Sequence, residues 1–246
     1  MTTALAALAV LAGALLASAT GFGFQLLSAP LLFALLGPPK AVGVLLLLGV
    51  EVNVLILAAE RRRPRPLGRE AAIVLAFAAP GTFLGVVLLR TLDAVVLQLA
   101  LTAAILVTLA MRQRTRTPVR HAPRWAAPLA GFSSGVLTTA TSTSGPPLIT
   151  YLLGRGHDPA RVRDTLTFCF LCLSGLGALA LWVTGTTAAN PDLGLVAALA
   201  PAALVGQILG ARVFARLAGG GRYEHVLTGV LLFAVALGLA GAISGG

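Results

Sequence analysis

Four long runs of this chain, 2–39, 125–154, 165–191 and 226–246, contain no aspartate, glutamate, lysine or arginine. An α-helix needs about 20 mainly apolar residues to cross the hydrocarbon of a bilayer, and each run is that long. Charged residues make up 11% of the 246, and the AVILMFWYC set 57%. A soluble domain carries roughly 25% charged residues, so this chain could not cover a globule of its own size with polar surface. That excludes a soluble enzyme, a disordered tail and a fibrous repeat. The expected fold class is all-α, a polytopic helical membrane protein.

The net charge of +10 reads as topology rather than nucleic-acid binding. Of the 18 Lys+Arg, all but Lys40 and Arg90 fall in four short connectors, at 61–69, 112–124, 155–163 and 212–222. Loops held on the cytoplasmic side of a membrane carry such an excess. The connector 184–192 has no cation and is read as external. No soluble basic face with interleaved aromatics is present, so no nucleic-acid partner is expected. Cys169 and Cys172 lie three apart in an apolar helix without a companion His or further Cys. They read as small core residues; no metal and no cofactor is expected. Ala17-Ser18-Ala19 resembles a signal-peptide cleavage site, but the cationic n-region is missing, so the segment reads as a retained helix.

Glycine, proline and charge bound helical segments at about 4–19, 24–36, 41–59, 70–89, 94–111, 126–140, 146–154, 163–184, 193–214 and 225–243. At 1.5 Å per residue, 41–59 spans roughly 29 Å, enough to cross. Segments 24–36 and 146–154 span only about 20 and 14 Å. Each follows a Gly/Ser/Thr-rich break and carries proline near its start, as a half-helix would.

The two halves resemble each other. Pro30-Leu31-Leu32 pairs with Pro147-Leu148-Ile149, 117 residues on. Ala41-Val42 pairs with Arg161-Val162 at 120, and Gly81 to Gly85 with Gly206 to Gly210 at 125. The organisation expected is a first membrane repeat at 1–111, an arginine-rich cytoplasmic linker at 112–125 and a second repeat at 126–246. With 60–69 and 112–124 inside, helices 70–89 and 94–111 form a hairpin between them, and 41–59 starts outside near Lys40. With 154–163 and 212–222 inside and 184–192 outside, 126–154 leaves and returns on the inner side as a broken hairpin. The matching hairpin, 4–36, then enters from the outer side, with the N-terminus external. Two inverted repeats, each a broken, re-entrant hairpin plus three transmembrane helices, are a hallmark of secondary transporters.

A half-helix that begins inside the membrane leaves backbone N–H groups unpaired and points a positive dipole end at the break. Two anion-site candidates follow. The first is Gly21, Phe22, Gly23 and Gln25, opening the helix that contains Ser28; its glycines allow close approach of backbone to substrate. The second is Thr141, Ser142, Thr143, Ser144, Gly145 and Pro146, whose hydroxyls can donate to oxyanion oxygens. The alternative is that Ser and Thr bond back to their own helix and Gly serves packing. Glu51 is the one acid near the middle of a long apolar segment. With Asn53 it is either a coupling group for a proton or cation, or a neutral acid bonded to backbone. Gln25, Gln98 and Gln207 fit polar packing or pore lining equally well. The Gly81/Gly85 and Gly206/Gly210 pairs read as close helix contacts, and Arg212 and Arg216 as residues snorkelling to the interface.

HExxH, P-loop and GxSxG motifs are absent, and His121, His157 and His225 fall in or beside loops, so no enzyme is expected. The sequence resembles the TauE/SafE sulfite-exporter family of membrane permeases over nearly its whole length. The resemblance rests on the twin glycine-rich breaks followed by proline, the arginine linker and the paired GxxxG elements. The family's glycine-rich signatures fall on Gly21, Gly23 and Pro30, then on Gly131, Gly135, Gly145 and Pro147. Phe22, Phe24 and the Thr/Ser stretch stand where family members often have a denser glycine run. The resemblance implies a permease of the cytoplasmic membrane that moves sulfite, organosulfonate or a related small anion, expected as export by alternating access. The expected partners are that anion and the lipid bilayer, with a homo-oligomer left open. Two other readings stand beside it: a proton-coupled carrier of a cation or neutral solute using Glu51, and a non-transporting membrane subunit that assembles a partner complex.

Overall fold

The glycines, prolines and charges that bound the apolar segments also bound the helices. The computed structural model describes residues 2–21, 23–59, 63–114, 123, 125–186 and 192–217. Regular structure among them is entirely helical: α1 (Thr2–Thr20), α2 (Phe24–Leu36), α3 (Pro38–Ala59), α4 (Gly68–Thr91), α5 (Ala94–Arg114), α6 (Ala126–Thr141), α7 (Gly145–Leu153), α8 (Pro159–Val183) and α9 (Leu193–Leu217). Met1, Phe22, most of the arginine linker and the expected last helix, 225–243, lie outside the described residues. Two helices start three or four residues earlier than the sequence predicts, α3 at Pro38 and α8 at Pro159. Proline in the first turn costs no hydrogen bond, and the Asp158 carboxylate caps α8 by accepting from the Arg161 N–H at 3.2 Å.

Helices α3, α4, α8 and α9 are long and apolar enough to cross a membrane. The molecule is a polytopic helical membrane protein. Its apolar exterior agrees: Phe77, Phe83 and Val87 on α4, Leu99 and Val107 on α5, and Val205 and Ile208 on α9 are all exposed, which water would penalise and lipid does not. Trp125, before α6, and Trp182, at the end of α8, are also exposed, at helix ends where amphipathic rings favour the membrane interface.

The largest interfaces are α1 against α9 and α4 against α6, and glycine makes both. A Cβ on Gly206 or Gly210 would collide with the carbonyls of Leu11 and Leu15; one on Gly81 or Gly85 would collide with those of Phe132 and Val136. Rising numbers meet rising numbers, so the helices of each pair run in the same direction. By contrast, Gly49 packs on Ser174 and Gly177 on Leu46, so the central helices α3 and α8 are antiparallel. Replacing α1–α4 by α6–α9, and the reverse, carries the α1·α9 contacts into the α4·α6 contacts and the α3·α8 helix pair into itself. The polar cross-links obey the same exchange: Ser18 Oγ donates to the Gln207 carbonyl at 2.9 Å, and Thr139 Oγ1 to the Thr82 carbonyl at 2.8 Å. Ser18 and Thr139 are 121 residues apart, and Thr82 and Gln207 are 125.

The ends of the bundle sort the connectors. Lys40 and Asp192 approach to 4.0 Å, so the starts of α3 and α9 share one face. At the other end, the Arg65 N–H donates to Asp164 at 2.8 Å and the Leu67 N–H to Thr165 at 2.9 Å. There too Arg155 pairs with Glu70 at 3.0 Å, and the Tyr151 hydroxyl donates to the same carboxylate. The basic connectors 63–67 and 154–158 thus lie together, opposite the cation-free one, as loop charge predicts.

Candidate anion site

Both broken hairpins turn on a residue in the left-handed region. Gly21 ends α1 with φ +78°, and Ser142 ends α6 with φ +59°. Glycine takes this conformation freely; serine pays roughly 1 kcal/mol or more for it. A backbone bond closes each helix at its turn, from Gly21 N–H to the Ala17 carbonyl at 2.7 Å and from Thr143 N–H, just after Ser142, to the Leu137 carbonyl at 3.2 Å. The half-helices α2 and α7 then begin, and neither has a side-chain cap on its N-terminus.

Those two N-termini meet. One cavity, about 420 Å³ of empty space counted with its mouth, is lined by Gly23, Phe24 and Gln25 from the first break, Thr143, Ser144 and Gly145 from the second, and Asn53 of α3. Ala17, Leu26, Val52, Ile56 and Phe170 complete the wall. Among the described residues, the lining contains no acidic and no basic side chain. Its field comes instead from two positive dipole ends and the unpaired N–H groups of two first turns. Pro146 and Pro147 carry no N–H, so the amides offered by the α7 turn are those of Ser144 and Gly145. The Gln25 Nε2 is buried without a hydrogen-bond partner among the described residues. Gly49 makes room for it: a Cβ there would lie 3.0 Å from that nitrogen. An unpaired buried amide beside two helix N-termini is a donor waiting for an acceptor.

The remaining predicted residues divide. Asn53 lines the cavity while its Nδ2 donates to the Gly49 carbonyl at 2.7 Å. Thr141 Oγ1 donates to its own helix at Leu137 and lies 2.6 Å from Thr143 Oγ1. Ser142 Oγ is buried without a partner and sits next to, not in, the lining. Ser28 is fully buried and donates to the Ala9 carbonyl at 3.1 Å, tying α2 to α1. Gly21 stands just outside the lining, under the Arg163 side chain. Pro146 faces away, into an apolar groove between α5, α6 and α7. Glu51 lies two residues from Asn53, on the side of α3 shared with exposed Val54 and Ala58, and does not reach the cavity. Phe22 lies outside the described residues. Among those described, no group of His, Cys, Asp or Glu could hold a metal ion.

Apart from Asn53, sequence reasoning did not single out the walls from α3 and α8, or Gly49. Val52, Ile56 and Phe170 are ordinary residues in apolar helices, and only packing brings them to the breaks.

Discontinuous helices whose N-termini meet at a cavity between antiparallel spans recur in secondary transporters. The sequence pattern of the sulfite exporter TauE/SafE family matches residues 5–239, nearly the whole chain. The chain belongs to that family, one of membrane exporters. No curated protein and no solved structure matches it.

Proposed function

We propose that this protein is a secondary transporter that exports a small anion, sulfite, an organosulfonate or a related oxyanion, across the cytoplasmic membrane by alternating access. One observation carries the reading: both half-helix N-termini and Gln25, whose amide nitrogen has no partner among the described residues, line one cavity in which no described residue is an acid. Such a site suits an anion, because charge-assisted hydrogen bonds from backbone and amide donors replace its water. It also suits release, because no fixed cation inside holds the anion. Gly23 to Gln25 supply donors from one half of the chain, and Thr143 to Gly145 from the other. The halves correspond to repeats at 1–111 and 126–246 joined by the linker 112–125. Rocking one against the other opens the cavity alternately to either face.

Glu51 favours this reading over a proton-coupled carrier, because it is not among the residues that line the cavity. The test is counterflow of labelled sulfite into proteoliposomes of the purified protein, with unlabelled sulfonates and sulfate as competitors. Saturable uptake above that of empty liposomes is expected. Correctly folded protein that moves none of these anions would refute the proposal and leave the assembly-subunit reading.

A further inference from the structure

The exchange of halves also acts on the cavity wall. Over the breaks and the central helices the shift is 121 residues, since α2 and α7 start at Phe24 and Gly145, and α3 and α8 at Pro38 and Pro159. It carries Gly23 to Ser144 and Phe24 to Gly145, and all four line the cavity. The wall from the central helices is not carried into itself. Asn53 of α3 goes to Ser174 of α8, and Phe170 of α8 goes to Gly49 of α3. Asn53 and Phe170 line the cavity; Ser174 and Gly49 do not.

Ser174 and Gly49 meet each other instead. A Cβ on Gly49 would lie 2.9 Å from Ser174 Oγ, 3.6 Å from Ser174 Cβ and 3.0 Å from Gln25 Nε2. One turn on, a Cβ on Gly177, the counterpart of Ile56, would lie 3.1 Å from Leu46 and 3.2 Å from Thr139. Ser174, Gly49 and Gly177 are all buried. This layer crosses the middle of the bundle, Gly49 being the twelfth of 22 residues in α3. Along α3, Val52, Asn53 and Ile56 lie between the layer and the connector 63–67. Along α8, which is antiparallel, Phe170 lies between the connector 154–158 and the layer. The central helices therefore wall the cavity on the basic-connector side of Gly49 and Ser174. The layer stands between that wall and the face marked by Lys40 and Asp192.

We infer that Gly49 and Ser174 close the cavity towards the Lys40–Asp192 face here, and that they line it when it opens to that face, with Ser174 taking the part that Asn53 has now. This rests on the alternating-access reading above. Two halves of like fold can trade the conformations they hold, and the resulting state repeats the same packing with the roles reversed. The two helix starts serve both states, because the exchange maps them onto each other. The Gln25 amide nitrogen borders the layer already, so the anion keeps that donor while the wall around it changes.

The test uses a background in which Cys169 and Cys172 are replaced by alanine. There, Ser174→Cys should react with a membrane-impermeant methanethiosulfonate in right-side-out vesicles, which expose the Lys40–Asp192 face, and not in everted ones, which expose the connectors. Labelling is read with and without sulfite. Gly49→Cys combined with Ser174→Cys sets two Cβ atoms at 3.6 Å, within disulfide range. Oxidation of that pair should abolish sulfite exchange, and dithiothreitol should restore it. Exchange that continues with the disulfide formed, Ser174→Cys unlabelled in both conditions, or labelling from both faces would overturn the inference. Labelling of the single variant carries the test if the double variant is not inserted or is inactive when reduced. Wild-type protein that moves neither sulfite nor a sulfonate would remove the anion reading, while labelling without sulfite would still decide whether Ser174 faces the open side.

Discussion

Gly135 on α6 is one of four glycines, with Gly81, Gly85 and Gly131, at which the second broken hairpin closes on α4. A Cβ there would lie 2.9 Å from the Thr82 nitrogen and 3.0 Å from the Ala78 carbonyl carbon, and closer still to the Ala78 oxygen. All three atoms are backbone, so no side chain can swing away, and α6 must move off α4 by about 1 Å to restore van der Waals contact. Overpacking of this kind costs about 1–3 kcal/mol, against which alanine regains up to about 1 kcal/mol of helix propensity. The matched control is Gly175 in α8, where a Cβ meets nothing within 4 Å among the described residues. Gly135→Ala should lower the thermal unfolding midpoint in detergent by about 2–8 °C, whereas Gly175→Ala should leave it unchanged or raise it slightly. Because α6 carries the break that lines the cavity, Gly135→Ala should also weaken sulfite transport. Equal midpoints for the two variants would refute the claim that glycine sets this interface, and with it the exchange symmetry that ties α4·α6 to α1·α9.

Four further outcomes follow from the geometry. Ser144→Ala should weaken anion binding about 10-fold by removing a donor to a charged group, and Gly145→Leu should block the cavity, with membrane insertion of both intact by protease protection. Ser142→Gly relieves a left-handed serine and should stabilise the fold by about 1 kcal/mol in the same detergent assay; a loss of stability would mean that the hydroxyl holds the turn. Glu51→Gln should leave sulfite counterflow within about twofold of wild type and independent of an imposed pH gradient; abolished transport would restore the proton-coupled reading. Glu70→Gln weakens a shielded pair that Tyr151 also joins, so it should cost about 1–3 kcal/mol, whereas Asp192→Asn, in an exposed pair at 4.0 Å, should cost less than about 1 kcal/mol by thermal denaturation.

The sequence carries the membrane class and the helix bounds because both depend on local pattern. Charge-free length and Gly/Pro punctuation act within a turn or two of the residue concerned. The two breaks were legible for the same reason, and their N-termini do meet. The depth of the correspondence between the halves was only partly legible. Pro30 and Pro147 align at 117, but helices α2 and α7 begin 121 residues apart, because α2 has one extra turn at its start. Thr141 and Ser28 show why hydroxyl-rich stretches mislead in apolar surroundings: each donates to a helix carbonyl, the nearest acceptor where water is absent. Gly49 and Phe170 could not have been found from spacing alone. Their roles arise where α3 and α8 cross the breaks, and no local pattern encodes that crossing.

The central claim is that the two breaks, one from each half of the chain, hold one anion between them. Titration calorimetry of sulfite into the purified protein, carried out as a double-mutant cycle on Gln25→Leu and Ser144→Ala, tests it most directly. Each single variant should weaken binding about 10-fold, and the two effects should be non-additive because both donors address the same anion. Full-strength binding in either variant would contradict the claim: the anion would then sit on one half alone, or elsewhere.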